Sequence, residues 1–178
     1  MVMKNEQENY RKVVFFNNQA INLSPPSSTD GYAVNQLVAE SPPLDTNSIY
    51  CNLLQCTHFS QTSVCAKKNE RLIGFISAYL IPDRLNTLFI WQAVVAKSAR
   101  GMGLAFKMLN ELLQRPACQS IKYIETTITP SNEPSLALFK KFAQESNLKL
   151  EINTVFDKDD HFKGHHESEQ LLKIGPLV

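Results

Sequence analysis

The sequence predicts a mixed α/β fold in which a mostly antiparallel sheet is covered by helices on both faces. Three β-rich segments in a row, between Thr62 and Ala96, are joined by short turns and predict an antiparallel meander. A strand–helix–strand passage follows, which predicts parallel strands with a right-handed crossover. Helical apolar periodicity occurs both before and after the meander, so helices are expected on each side of the sheet.

The N-terminal part of the chain predicts a tail, one strand and two helices. Residues 1–20 are polar and irregular and are expected to form a flexible tail, so that a single domain spans residues 21–178. Glu6 and Glu8 interrupt this tail, and its apolar stretch VVFF is too short for the core of a signal peptide. The elements expected next are a strand at Ile21–Leu23, a helix with Val34, Leu37 and Val38 on its apolar face, and a helix at about Ser48–His58.

Turn residues and apolar periodicity indicate the remaining elements. A hairpin is expected to turn around Asn69, and the third strand of the meander ends at a glycine-containing corner. A helix is expected at Leu104–Arg115, because its apolar residues recur every three to four positions and Pro116 stops it. The elements expected after it are the strand IKYIETTIT, the helix SNEPSLALFKKFAQES, the strand LKLEINTVF and, after a polar loop, the strand QLLKIG.

Composition is typical of a soluble globular protein and argues against several classes of function. Apolar residues make up 43% of the chain and charged residues 20%. The formal charge of +1 argues against a nucleic-acid-binding protein, because phosphate contacts require an excess of Lys and Arg. No apolar run reaches the length of a membrane span. The four cysteines form no CxxC pair and are expected to be free and mostly buried, which indicates a cytoplasmic protein.

The glycine corner consists of Arg100, Gly101 and Gly103, between an apolar strand and an apolar helix. Such a corner presents backbone N–H groups and the positive end of a helix dipole to an anion, and glycine lets a phosphate approach the backbone closely. The alternative is a tight turn in which glycine only provides a positive φ angle. A Walker P-loop is excluded because no Gly-Lys-Ser/Thr follows, and the dinucleotide-binding fingerprint is poorly matched.

The stretch RGMGLA, residues 100–105, fits the pattern R-x-x-G-x-A and falls at the end of the fourth strand in the predicted order β-α-α-β-β-β-α-β-α-β-β. Motif and order together resemble the GCN5-related N-acetyltransferases (GNAT), from about Ile21 to the C-terminus. Within this family the resemblance is strongest to members that transfer acetyl from acetyl-CoA to the γ-amine of L-2,4-diaminobutyrate, a step in the synthesis of the osmoprotectant ectoine. The stretches that carry it are SPPLDTNSIYCNLLQCTHF, LFIWQAVVAKSARGMGLA, YIETTITPSNEPSLALFKKFA and HHESEQLLKIGPL.

The resemblance implies acetyl-CoA as cosubstrate, no metal, a small diamino acid as the other substrate, and a homodimer. In this fold the fourth and fifth strands splay apart, and backbone groups of Ala93 and Val95 are implied to pair with the pantetheine arm between them. Asn132 matches an asparagine that contacts the cofactor, and it is equally suited to cap the helix that follows. The residues implied to surround the pyrophosphate are Arg100, Gly101, Gly103, Leu104 and Ala105.

One position departs from the family pattern N-x-x-A-x-x-L-Y, whose tyrosine protonates the leaving CoA thiolate. Phe139 stands in the place of that tyrosine and Ser135 in the place of the alanine. Phenylalanine cannot donate a proton, although a thiolate with a reference pKa of about 8.5 can leave without full protonation. Tyr50 or a water molecule is therefore expected to supply the acid. The missing phenol leaves two alternatives open: a relative that acetylates another small amine or a protein N-terminus, and a non-catalytic acyl-CoA sensor.

The attacking amine needs a proton acceptor. An alkyl ammonium has a pKa of about 10.4, so about one molecule in a thousand or fewer is the free base at pH 7. A nearby carboxylate or histidine accepts the proton, and a carboxylate also selects a diamine by charge. Asp45 is alternatively a helix cap, Glu169 a solvated loop charge and Trp91 a core residue. The predicted residues are Glu169 and His166 for catalysis and Asp45, Trp91, Thr127 and Glu125 for substrate binding, the last two sharing one strand face by period two.

A metal site is not predicted, although His161, His165, His166 and Glu167 lie close together in sequence. Gly164 and the mixed spacing argue against a regular helix that presents ligands four residues apart. No distant Cys/His pair completes a ligand set.

Overall fold

The computed structural model describes residues 11–16 and 19–177, and its elements follow the predicted order. Within these residues, no helix combines the length and the apolar character that crossing a membrane requires. The strands are β1 (Lys12–Phe16), β2 (Gln19–Ser24), β3 (Val64–Lys68), β4 (Arg71–Ile81), β5 (Arg84–Val95), β6 (Tyr123–Ile128), β7 (Leu150–Phe156) and β8 (Glu169–Ile174). The helices are α1 (Gly31–Ala39), α2 (Ile49–Thr57), α3 (Leu104–Leu113) and α4 (Glu133–Glu145).

The strands form one sheet in the order β1-β2-β3-β4-β5-β6-β8-β7. The pairs β1–β2, β2–β3, β3–β4, β6–β8 and β7–β8 are antiparallel. Strands β5 and β6 pair in parallel, as the strand–helix–strand passage predicts. The predicted mixed, mostly antiparallel α/β fold is therefore confirmed. Within the chain, contacts separate two compact units: the residues up to Ala78 with Gln92–Gln119, and Tyr79–Trp91 with the residues from Ser120 onward.

Strand β1 corrects the prediction for the N-terminal region. The sequence predicts an irregular tail over residues 1–20, but Lys12–Phe16 pairs along its whole length with β2. The segment reads KVVFF, and its β-branched and aromatic residues favour an extended strand. Residues 1–10 and 17–18 lie outside the described residues, and the single domain over 21–178 stays a prediction.

The first unit carries helices on both faces of its strands. Cys65 and Phe75 are paired across β3 and β4 and are buried with residues of α1 and α2. Gly74 lies on the opposite face, where a Cβ atom would come within 2.9 Å of Met108 Cε in α3. Glycine at this position leaves room for the end of the Met108 side chain, which would have to shift if a Cβ atom were present. The predicted placement of helices on both faces is thus confirmed within this unit.

The end of α3 contains a buried ion pair. Arg115 donates from Nε and Nη2 to the two carboxylate oxygens of Glu111, at 3.1 and 2.8 Å, and both side chains are buried. Its remaining nitrogen, Nη1, donates to the backbone carbonyl of Ser63 just before β3. All three guanidinium nitrogens and both carboxylate oxygens thus have hydrogen-bond partners, which offsets their removal from water.

The second unit buries one face of its strands. The alternate residues of β5 and β6 on this face are Leu88, Ile90, Ile124, Thr126 and Ile128, and each is at most 5% exposed. In α4 the buried residues are Phe139, Phe142 and Ala143, which recur at helical spacing. The parallel ladder pairs Thr87 with Tyr123 through to Ile90 with Thr126, although β5 continues to Val95. At the last pair, the Ile90 carbonyl accepts a hydrogen bond from Thr126 Oγ1 at 3.0 Å.

The cysteines are free thiols, as predicted. Cys56, Cys65 and Cys118 are buried and Cys51 is partly exposed. Burial raises the pKa of Cys118 to about 11 and that of Cys56 to about 12, because a thiolate is poorly solvated in the core. These buried thiols are therefore held in the protonated, unreactive form at neutral pH.

The two ion pairs at spacing i, i+4 in the described part of the chain predict losses of stability of different size. Arg115→Met leaves the Glu111 carboxylate buried without its partner and is expected to lower the free energy of unfolding by about 3–5 kcal/mol. Lys141→Met breaks the exposed Lys141–Glu145 pair and is expected to cost less than about 1 kcal/mol. Urea denaturation of both variants measures the difference, and equal losses would contradict the assignment of the buried pair as structural.

Candidate active site

The glycine corner has left-handed backbone at both glycines. Gly101 has a φ angle of 77° and Gly103 a φ angle of 72°, and Gly103 is the N-cap of α3. A Cβ atom built on either glycine meets no described atom within 4 Å, so the space beside this backbone is open. The first-turn N–H groups of α3 have no partner within the helix, and the N-cap has no side chain to bind them. The corner therefore combines the tight turn with exposed donors suited to an anion.

Arg100 folds back against the end of β5. Its Nε donates to the carbonyl of Val95 at 3.1 Å, and its Nη2 lies 3.4 Å from Ser41 Oγ. Two guanidinium nitrogens are thus directed at the protein, while the side chain is exposed. Ser41 was not predicted as a neighbour of the corner, because it lies far away in sequence.

The backbone of β5 presents two different edges. Gln92 N–H donates to Ser77 Oγ at 3.2 Å, and Ala96 N–H donates to the carbonyl of Ile73 at 2.9 Å; both acceptors lie in β4. Backbone groups of neighbouring residues in a strand point to opposite edges. The N–H and C=O groups of Ala93 and Val95 therefore point away from β4, as pairing with an extended ligand requires.

The predicted substrate residues of the second unit share one sheet face. Glu125 pairs with Phe89 in β5 and with Lys173 in β8, and Thr127 pairs with Leu171. Side chains alternate between the two faces of a strand. Trp91, two residues after Phe89, and Glu169, two residues before Leu171, therefore lie on the same face as Glu125 and Thr127. The opposite face of these strands is the buried one described above.

Glu125 forms an ion pair with Arg84, which the sequence did not reveal. Both of its oxygens accept hydrogen bonds from Arg84, from Nη1 at 2.6 Å and from Nη2 at 2.8 Å. Glu125 is 2% exposed, and its hydrogen bonds raise the pKa of Arg84. The guanidinium therefore occupies both oxygens of this carboxylate. We therefore rank Glu125 below the other candidate carboxylates, and its contact with a substrate stays a prediction.

Trp91 is exposed on this face rather than buried in a core. It is 41% exposed and contacts Tyr79 edge-on, with ring centroids 6.2 Å apart. Tyr79 also contacts Phe89 at 5.4 Å. These three rings provide a rigid, apolar surface beside Glu125 and Thr127, which suits a wall beside a small substrate.

Asn132 and Phe139 lie on α4. Asn132 is the N-cap, and its side-chain oxygen accepts a hydrogen bond from Ser135 N–H at 3.3 Å. The capping role is therefore confirmed, and contact with a cofactor stays a prediction. Phe139 is 2% exposed and belongs to the buried face of the helix.

The loop before β8 is tied to the loop before α4. Ser131 Oγ donates to a carboxylate oxygen of Glu167 at 2.6 Å. The His166 ring lies 4.7 Å from that of Phe162, and its Nδ1 lies 2.8 Å from the carbonyl of Glu167. Glu169 begins β8, and its Oε2 atom is shielded from solvent. Among the predicted catalytic residues, Glu169 thus lies on the sheet face that carries the candidate substrate-binding residues.

Asp45 and Tyr50 lie in the first unit, around the start of α2. Ser48, not Asp45, caps this helix: its Oγ accepts a hydrogen bond from Cys51 N–H at 3.1 Å. The backbone carbonyl of Asp45 accepts a hydrogen bond from Gln92 Nε2 at 2.8 Å, and its side chain is exposed. Tyr50 is 70% exposed.

No group of three or more potential metal ligands occurs within residues 11–16 and 19–177.

The sequence matches the acetyltransferase (GNAT) family over residues 32–143, which include the glycine corner, β6 and most of α4. The chain belongs to the GNAT acetyltransferase family. Leu104 and Ala105, which open α3 after Gly103, lie within the matched range, and their contact with a pyrophosphate stays a prediction.

Several GNAT relatives share one name. The L-2,4-diaminobutyric acid acetyltransferase of Methylotuvimicrobium alcaliphilum is 50% identical over 157 residues, covering 88% of this chain and 91% of the relative. The enzyme of the same name from Shouchella clausii is 40% identical and covers 98% of this chain and 97% of its own. The solved diaminobutyrate acetyltransferase of Paenibacillus lautus, in complex with L-2,4-diaminobutyric acid and coenzyme A, has a TM-score of 0.85 and 36% identity. It covers 89% of this chain and 96% of its own.

Substitution of Gly103 tests whether the open space at the corner receives a ligand. Asparagine tolerates left-handed backbone, so Gly103→Asn is expected to fold, while its Cβ enters that space and raises the KM for acetyl-CoA about tenfold or more. Gly164→Asn is the matched control, because Gly164 has a φ angle of 82° and equally open surroundings in another loop. Steady-state kinetics with thermal melting separates binding from folding. An unchanged KM in a folded Gly103→Asn protein would refute the pyrophosphate assignment.

Phe139 is expected to act through packing alone. Phe139→Leu should cost about 1–2 kcal/mol of stability, because the ring is buried, and should keep kcat within about tenfold of the native value. Phe139→Tyr is the companion variant. A gain in kcat from this added phenol would show that the side chain reaches the leaving group, contrary to its position in the core.

Proposed function

We propose that this protein transfers the acetyl group of acetyl-CoA to the γ-amine of L-2,4-diaminobutyrate. The amine nitrogen attacks the thioester carbonyl, the C–S bond breaks, and the products are N-acetyl-diaminobutyrate and the CoA thiol. The strongest support is the likeness to the Paenibacillus lautus enzyme, which extends over nearly the whole chain and was observed with both diaminobutyric acid and coenzyme A.

The cofactor side of the proposal rests on the first unit and on Asn132. We assign the pyrophosphate to the open backbone of Gly101 and Gly103 and to the start of α3. Arg100 supplies positive charge from a position fixed by the carbonyl of Val95. The pantetheine arm is assigned to the edge of β5 that carries the backbone groups of Ala93 and Val95. This cofactor site uses backbone donors and the helix dipole, so it needs no metal.

Deprotonation of the amine is the main chemical requirement. At pH 7 it costs about 4–5 kcal/mol, at about 1.36 kcal/mol for each unit between the pH and the pKa of the ammonium. A positioned carboxylate lowers this cost by accepting the proton directly or through water. A carboxylate also attracts the ammonium of a diamine more strongly than it attracts a monoamine's neutral tail.

Glu169 is our assignment for the proton acceptor. It lies on the sheet face of Trp91 and Thr127, and its Oε2 is shielded from solvent. His166 precedes it in the loop and is the alternative relay. Trp91 and Thr127 are assigned to the wall and a hydroxyl contact of the substrate site. Asp45, whose side chain is exposed, is assigned to an ammonium group of the substrate.

Protonation of the leaving thiolate is assigned to Tyr50 or to water. Phe139 has no proton to give and is buried. Tyr50 is the most exposed of the large apolar and aromatic side chains in the described part of the chain, so its phenol is accessible. A thiolate leaves readily enough that the step does not depend on a strong acid.

Four finer features extend this proposal. Selectivity for the γ-amine over the α-amine follows from the family resemblance, as does a place in ectoine synthesis with a role in osmoprotection. A cytoplasmic location and assembly as a homodimer are proposed on the same grounds. Light scattering of the purified protein tests the homodimer, and NMR of the product distinguishes γ-acetylation from α-acetylation.

Thiol release from acetyl-CoA tests the proposed reaction. Diaminobutyrate, ornithine, lysine and a polyamine are supplied in parallel, and diaminobutyrate is expected to give the highest kcat/KM. A preference for another amine would identify a different small-molecule acetyltransferase. Binding of acetyl-CoA without turnover of any amine would support a non-catalytic sensor, which the absence of a phenol at Phe139 makes a specific second candidate.

Glu169→Gln keeps the shape of the side chain and removes its charge. If Glu169 relays the proton, kcat should fall and partly recover as the pH rises, because solvent then supplies more free amine. If it only anchors the ammonium, the KM for diaminobutyrate should rise and higher pH should not help. The KM for acetyl-CoA should stay within about twofold in both cases. Native kinetics in Glu169→Gln together with loss of activity in Asp45→Asn would move the role to Asp45.

A further inference from the structure

The side chain of Gln92 joins β5 to the segment that carries Asp45. Its Nε2 donates to the backbone carbonyl of Asp45 at 2.8 Å, and its Oε1 accepts from Asn47 Nδ2 at 2.9 Å. Gln92 is 7% exposed and alternates with Ile90 and Val94, which are apolar and buried. A polar residue therefore occupies a core position of the strand and uses both ends of its amide on residues 45–47.

Three further amides extend this contact between α1 and α2. Asn35 Nδ2 donates to the backbone carbonyl of Asn47 at 2.8 Å and to Asn52 Oδ1 at 2.9 Å, and Asn52 Nδ2 donates to Gln55 Oε1 at 2.9 Å. Since a backbone carbonyl only accepts, the orientation of each amide along the chain is fixed. We call Asn35, Asn47, Asn52, Gln55 and Gln92 the amide network.

The amide network stabilises the core less than apolar residues of similar shape would. Four of its five members are buried, and Gln55 Nε2 is buried without a hydrogen-bond partner in the described part of the chain. A buried donor without a partner costs about 1–3 kcal/mol, and apolar residues of similar shape would avoid that cost. Hydrogen bonds are directional, however, and fix relative positions that apolar packing leaves free. The consequence of the network is therefore geometric.

The fixed positions belong to residues of the proposed active site. Gln92 stands between Trp91, the proposed wall of the substrate site, and Ala93, a proposed contact of the pantetheine arm. The segment that it holds contains Asp45 and leads into the N-cap Ser48 of α2. A displacement of this segment would move the Asp45 carboxylate.

We propose that Gln92 is a positioning residue for the amino-acid substrate: through the carbonyl of Asp45 and the amide of Asn47, it sets the position of Asp45 relative to β5. This role rests on the proposed function. Gln92 touches neither substrate nor cofactor in it, and acts only by holding the 45–47 segment.

Gln92→Met tests the positioning role, because methionine keeps the length and volume of glutamine but makes neither hydrogen bond. We expect the KM for diaminobutyrate to rise about tenfold, with the KM for acetyl-CoA within about twofold of the native value. Asn47→Ala removes one of the two bonds at a half-buried site and should shift the same constant in the same direction. It therefore serves as the second variant if Gln92→Met fails to fold.

Gln55→Met is the matched control. It also breaks a buried amide hydrogen bond, that of Asn52, but it leaves both bonds of Gln92 in place. Thermal melting monitors the folding of Gln55→Met, and the ratio of its two KM values should stay unchanged. A double variant, Gln92→Met with Asp45→Asn, should lose less affinity for diaminobutyrate than the product of the single effects, because Asp45 is already displaced.

The outcomes distinguish this inference from the proposed function. A native protein that does not acetylate diaminobutyrate would refute the proposed function itself. An active native protein with equal changes in both KM values of Gln92→Met, or with a changed KM ratio in Gln55→Met, would reduce the network to a structural role. Independent, multiplicative effects of Gln92→Met and Asp45→Asn would also overturn the inference.

Discussion

Every backbone N–H and C=O group of a buried strand needs a hydrogen-bond partner, and β5 meets this need differently along its length. Strand β5 pairs with β6 up to Ile90, whose backbone carbonyl accepts a hydrogen bond from the hydroxyl of Thr126. At Gln92 the N–H group is bound by the hydroxyl of Ser77. Past Ile90 the edge of β5 that faces away from β4 has no ladder pairing among the described residues, and it is the edge proposed for a ligand.

Strand β5 also places both apolar and polar side chains in the interior. Ile90 and Val94 are buried apolar residues, and between them Gln92 reaches the amides near the start of α2. Apolar burial supplies most of the free energy of folding but little directionality. The hydrogen bonds add positional precision where the chain carries candidate substrate contacts. Stability and site geometry are therefore provided by neighbouring residues of one strand.

The sheet face that carries Glu125, Thr127 and Glu169 contains one fixed ion pair and one candidate base. Arg84 holds Glu125 with two hydrogen bonds, which fix the position of this carboxylate. Glu169 lies on the same face at the start of β8. Two carboxylates on one face can thus differ in role, because a guanidinium occupies both oxygens of one of them.

The sequence by itself determined the order of the elements, the glycine corner and the family, because periodicity, turn residues and a short backbone motif are local properties. It also placed Glu125 and Thr127 on one face through the period of the strand. It missed β1 within the predicted tail, and it did not reveal that Arg84 binds Glu125 or that Gln92 binds the Asp45 segment. The last two are contacts across more than 40 positions. Only the tertiary structure decides them, because strand register and loop path bring the partners together and no local pattern encodes which pairs meet.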